Sequence, residues 1–198
     1  MSIIQSILIA SLLLHPQPKH EVYKFSDGNI SFSCPVRMKA INKEYHIHTN
    51  HPEKSIPSYT AMDFVWNDNK ITLAYCIYDR VYISNQEKEM NHVKDITINT
   101  ARNTFMHWKK LYGSLNKSSF KCSNIKIHGV SMSLLFFNDY FPGKQNRILI
   151  FNDLFFSHNM IEGEFSIIKK VSNSKECNLI SQQYRKILLH IAQTLKVH

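Results

Sequence analysis

Met132–Tyr140 (MSLLFFNDY), Arg147–Phe156 (RILIFNDLFF) and Met160–Val171 (MIEGEFSIIKKV) are three β-rich runs parted only by Pro142-Gly143-Lys144-Gln145-Asn146 and by Ser157-His158-Asn159. Gly, Pro, Asn and Ser supply turn geometry. A connection this short joins antiparallel neighbours, because parallel strands need a crossover of roughly a dozen residues. The runs therefore read as an antiparallel meander, entered through a further strand at Ile125–His128 and a break at Gly129. Phe136-Phe137 and Phe155-Phe156 put aromatic rings on both faces of their strands. One face must meet the helices. The other is covered by the N-terminal or loop segments, or is left as a ligand groove or partner patch.

On either side of the meander the apolar period changes from two to three or four. Ile98, Ala101, Phe105, Trp108 and Tyr112 form a stripe between a candidate N-cap at Asp95 and a stop at Gly113, which predicts an amphipathic helix. Cys177, Ile180, Tyr184, Ile187, Leu188, Ile191 and Leu195 form a second stripe within Lys175–Val197, capped by Ser174. Nearer the start, Ile30, Phe32, Cys34, Val36 and Met38 alternate with Ser31, Ser33, Pro35, Arg37 and Lys39. That is a strand with one buried face, and Pro35, which lacks a ladder donor, places it at an edge or bends it. Ser26-Asp27-Gly28-Asn29 turns into it from Val22–Phe25, and Asn67-Asp68-Asn69-Lys70 joins Tyr59–Trp66 to Ile71–Tyr82, giving two hairpins. The order of hairpins, helix, meander and C-terminal helix predicts an α+β domain in which two amphipathic helices cover an antiparallel sheet. The polar stretch Ile41–Ser58 is its expected long loop.

The chain has 198 residues, which suits a single domain over residues 19–198 behind an N-terminal segment, residues 1–18. A hydrophobic fraction of 43% with 12% aromatic residues excludes wholesale disorder. The formal charge of +9 favours anionic partners. Its basic residues never form a block longer than two, unlike the concentrated stripe of a nucleic-acid binder, so no nucleic-acid partner is expected. The apolar run Ile3–Leu14 (IIQSILIASLLL), broken by His15-Pro16-Gln17-Pro18, is too short to span a bilayer and suits the core of a signal peptide. It predicts an exported protein, periplasmic or secreted, with no transmembrane span in the mature chain. No Lys or Arg precedes the run and no A-x-A-like site follows it. The alternative is an N-terminal helix or strand docked on the core of a cytoplasmic protein. Cys34, Cys76, Cys122 and Cys177 include no C-x-x-C pair, which excludes a zinc ribbon or thioredoxin-type site. Cys34 and Cys76 read as buried thiols. Cys122 and Cys177, beside polar residues at element starts, are the candidate disulfide.

The run Phe25-Ser26-Asp27-Gly28-Asn29-Ile30-Ser31-Phe32-Ser33-Cys34-Pro35, followed by hairpin, helix, meander and terminal helix, resembles the PsbP-like group of small α/β sandwiches. The resemblance covers about residues 20 to 195 and rests on a hairpin signature. It implies an accessory, assembly or binding protein, and some members of the group bind metal ions. No site residue of that group transfers to a position of this chain.

Four constellations carry potential chemistry. His46 and His48 lie two apart in an extended stretch and so point the same way, and His51 follows in the same loop; imidazoles so placed suit a Zn, Cu or Ni ion. No HExxH is present, and exposed loop histidines without a metal are the plainer reading. Gly129-Val130-Ser131-Met132-Ser133 approximates a nucleophile elbow but has Ser where the second Gly is needed, so a strand kink at Gly129 is the better account. Glu162 and Glu164 share a strand face and form a candidate carboxylate pair, against the solvent face of an outer strand. Cys34 and Cys76 lack a neighbouring basic motif and read as core thiols. With no catalytic residue assigned and no cofactor beyond a metal ion, the expected function is a non-catalytic exported accessory or interaction protein. Its partner would be another protein or an envelope component, met through the sheet face or the Ile41–Ser58 loop. The alternative is a small-ligand or metal-binding protein using the His46–His51 loop or a cavity between sheet and helix.

Overall fold

The three runs of the meander form three neighbouring strands of a seven-stranded antiparallel sheet. A computed structural model describes residues 23–47, 58–78, 86–112, 118–141 and 147–198. Its elements are β1 (Tyr23–Ser26), β2 (Ile30–Cys34), β3 (Lys39–Ile47), β4 (Ser58–Trp66), β5 (Asn69–Ile77), α1 (Gln86–Tyr112), β6 (Ser118–Ile127), β7 (Val130–Phe141), β8 (Arg147–His158), β9 (Ile161–Val171), α2 (Ser174–Thr194) and β10 (Lys196–Val197). The large sheet runs β3-β4-β5-β9-β8-β7-β6, and a small one runs β1-β2-β10. All pairings are antiparallel. The expected α+β class is therefore found, with a second sheet added. Ile3–Leu14 lies outside the described residues.

The turns explain why the meander closes on itself. His128 and Gly129, between β6 and β7, both have positive φ, 52° and 82°, the two-residue hairpin geometry that matches strand twist. Gly129 is thus a hairpin turn and not a kink within a strand. Pro35 ends β2 at Cys34, and the chain then leaves the small sheet to enter the large one at Lys39. The single strand expected over Ile30–Met38 is two elements in two sheets. The start of the expected loop Ile41–Ser58 is strand as far as Ile47: β3 pairs along β4, with a register shift between Ala40 and Asn42, and residues 48–57 lie outside the described residues.

The two helices lie on opposite faces of the large sheet and not together on one. On one face α2 and the small sheet enclose the main core, in which Phe64, Leu73, Met132, Leu134, Ile150, Phe156 and Phe165 meet Tyr184, Leu188 and Ile191. Phe32 locks the small sheet to this face by edge-on contacts with Phe64 and Phe165, ring centroids 5.6 and 4.9 Å apart. Asp27 does the same with polar groups. One carboxyl oxygen accepts the Asn29 and Ile30 backbone N–H groups, and the other accepts the Tyr75 hydroxyl at 2.6 Å.

On the other face α1 lies over β6, β7 and β8. It begins at Gln86, well before the expected Asp95, which is an exposed residue inside the helix. Its first sheet-facing positions are Glu89, Val93 and Thr97, all buried. Glu89 accepts the Ser131 hydroxyl at 2.8 Å, and Thr97 donates to the Val93 carbonyl at 2.7 Å, so both polar groups are satisfied beneath the helix. The N-cap of α2 is Asn173, whose side chain accepts the Glu176 N–H at 2.8 Å, one position before the expected Ser174.

Candidate functional site

Where α1 leaves the sheet partly uncovered, a cleft of about 200 Å³ opens between the helix and the β5-β9-β8 face. Strand register builds its floor. Glu162 and Glu164 project from β9 on one face, Cys76 on β5 stands directly opposite Glu162, and Ala74 and Phe155 flank Glu164 on the two neighbouring strands. Val93 and Ile96 of α1 form the overhang. β9 is an interior strand of the sheet, so the pair Glu162 and Glu164 does not sit on the solvent face of an outer strand. Both are partly buried in this cleft.

The two carboxylates differ in their surroundings. Glu162 is held from both sides: His92 Nε2 of α1 stands 2.5 Å from one carboxyl oxygen, and the Tyr78 hydroxyl donates to the other at 3.3 Å. Glu164 has no hydrogen-bonding or ion-pairing partner among the described residues, and burial pushes its carboxyl up from the ordinary value. Behind it on β8, Asp153 is fully buried. Burial first and the Glu164 charge second push Asp153 well up, and only the Ser166 hydroxyl across the strand pairing pulls the other way. Neither Asp153 oxygen has a hydrogen bond of good geometry. A proton held on this carboxyl is the arrangement that burial favours.

None of the described nucleophiles near this cleft is activated. The Cys76 thiol is pushed up by burial and by the Glu162 charge, which disfavours the thiolate that a nucleophile needs. His92 is engaged with Glu162. Ser131 is buried in β7 with its hydroxyl given to Glu89, so no imidazole activates it.

The residues singled out in the sequence are otherwise dispersed. His46 lies on the edge strand β3, opposite Tyr59, and His48 and His51 lie outside the described residues. Among the described residues no group of three or more His, Cys, Asp or Glu is placed to hold a metal ion. Cys122 and Cys177 are free thiols, as are Cys34 and Cys76. The register puts Cys122 on the α1 face, where its sulfur contacts the Ser133 hydroxyl at 3.1 Å, while Cys177 is buried beneath α2 on the other face. The sheet itself separates the expected disulfide pair. His92 and Glu89 escaped the sequence reading because the first turns of α1 look like a polar connector, and Tyr78 because it falls in a run read only as strand.

No helix among the described residues is long and apolar enough to cross a membrane. Comparison of the chain with protein-family models and with curated proteins gives no match.

Proposed function

We propose that this chain is a non-catalytic interaction protein whose recognition element is the cleft beneath α1, and that the cleft takes an aliphatic chain ending in a cation, as on a lysine side chain of a protein partner. The carrying observation is Glu164, without a partner among the described residues, at the floor of a cleft walled by Ala74, Val93, Ile96 and Phe155. Apolar walls suit methylenes, and a desolvated carboxyl regains its charged form when an ammonium arrives. The volume of about 200 Å³ is below the roughly 300 to 1,000 Å³ of sites for drug-sized ligands, which favours a single side chain over a bulky cofactor. The resemblance to PsbP-like sandwiches points the same way, towards accessory and binding proteins. Export, and a partner in the envelope, belong to this proposal and rest on the apolar run Ile3–Leu14.

Titration of isotope-labelled protein with N-acetyl-lysine amide tests the reading by NMR. Amide shifts confined to Ala74, Cys76, Val93, Ile96 and Glu164 are expected. They should strengthen as pH rises through the elevated Glu164 value and vanish in Glu164→Gln. Shifts that are absent, or equal in that variant, would reject the cleft as the binding element.

A further inference from the structure

A second concavity, on the opposite side of the molecule, has the reverse charge. The outward face of the small sheet carries Ser31 and Ser33 on its central strand β2, with Lys24 of β1 directly opposite Ser33 and Lys196 of β10 directly opposite Ser31. These four residues line a groove of about 450 Å³ with no Asp or Glu in its walls. Both lysines are exposed, and neither has an ion-pair partner among the described residues. Two imidazoles from the C-terminal segment reach the same hydroxyls: His190 Nε2 lies 3.0 Å from Ser33 Oγ, and His198 Nε2 lies 2.9 Å from Ser31 Oγ. Thr194 Oγ1 accepts the Ser33 backbone N–H at 3.0 Å. The strand is thereby tied to the end of α2, and its hydroxyls are held in place.

Flanking strands lie roughly 4.7–4.9 Å either side of a central one, within the reach of a lysine stem. Both ammonium groups can therefore meet above β2 over the two hydroxyls. Two point charges and two oriented hydroxyls, with no competing carboxylate in the walls, form a cradle for a tetrahedral oxyanion. We propose that this face is a phosphoryl-binding site, taking the phosphate of a free phosphomonoester or that of a lipid headgroup. The site is independent of the cleft beneath α1, which lies across the large sheet, so either can fail without the other.

The test uses the whole chain and two probes. Inorganic phosphate is titrated by calorimetry, and phosphatidylcholine vesicles with and without phosphatidic acid are co-sedimented with the protein. Loss of charge-assisted contacts should weaken binding roughly tenfold for each of Lys24→Ala and Lys196→Ala. Lys126→Ala, on exposed β6, should leave binding unchanged, and unaltered melting temperatures confirm that the variants fold. Phosphate binding that depends on both lysines supports a soluble ligand. Binding only to phosphatidic acid vesicles, with the same dependence, supports a lipid source. Binding to neither probe, or binding that the Lys126 variant weakens as much as the other two, would overturn the proposal.

Discussion

Gly163 stands between the two cleft glutamates, on the opposite face of β9, and its missing side chain is a packing requirement. A Cβ there would lie 2.4 Å from Phe156 Cζ, 2.6 Å from the Ala74 carbonyl oxygen and 2.7 Å from Tyr75 Cβ. Two of these contacts involve atoms that cannot swing aside. Gly163→Ala should therefore destabilise the fold by about 1–3 kcal/mol, and urea denaturation measures it; a loss within a few tenths would mean that β9 shifts freely. The neighbouring Asp153 gives a pH-dependent expectation. Its carboxyl is raised well above its ordinary value of 3.8, so the folded chain keeps a proton that the unfolded chain releases. The stability from this group is complete below the unfolded value and is lost as pH rises through the folded one. Asp153→Asn removes the titration, so its stability relative to wild type should improve as pH rises from the ordinary carboxylate value towards the raised folded one. Matched melts across that range check it, and a constant difference would mean that Asp153 is ionised in the fold.

The elements most legible in the sequence are those whose apolar period is unbroken. β4, β5, β7, β8 and β9 were readable because turn residues bracket alternating or continuous apolar runs. α1 was cut short because its stripe continues backwards from Ala101 through Thr97 and Val93 to Glu89, and two of those three are polar. The Ser131 hydroxyl that satisfies Glu89 lies 42 positions away, and no local pattern announces it. The small sheet was missed for a similar reason, since β10 has two residues and exists only because β2 offers it an edge. Capping of α2 separates two readings that the sequence left adjacent. Asn173 is extended and accepts the Glu176 N–H, while Glu176 reaches back to the Ser172 N–H at 3.3 Å, a reciprocal cap. Asn173→Ala should cost about 1 kcal/mol, whereas Ser174→Ala, inside the first turn, should change stability little. Equal losses in the two variants, measured by thermal melting, would remove Asn173 from the cap.

At the scale of the molecule, the charge of +9 pointed to anions, and the groove at Lys24 and Lys196 follows it. The acidic cleft runs against it, and was illegible because three strands and a helix far apart in sequence assemble it. The sheet also divides the protein into two unequal layers. Against α2 and the small sheet its face is a mainly apolar core interrupted by the buried Thr60 and Asn152; against α1 it buries more polar groups, Glu89, Thr97, Ser131, Ser133, Asp153 and Ser157, beside a separate cluster of Leu135, Phe137 and Phe151. Buried polar groups return little net stability even when paired, and Asp153 makes no good hydrogen bond. Among the described residues the α1 layer is therefore held by less apolar burial than the α2 layer, and it should open first. Native-state hydrogen exchange in low denaturant reads this directly: the described amides of α1 should exchange through a sub-global opening that leaves α2, β8 and β9 protected. If α1 and α2 exchange together at the free energy of global unfolding, the two layers form one cooperative unit and this account of the α1 face is wrong. A cleft occupant bridging Glu164 and Val93 would raise protection in α1 selectively, because binding stabilises only the closed layer.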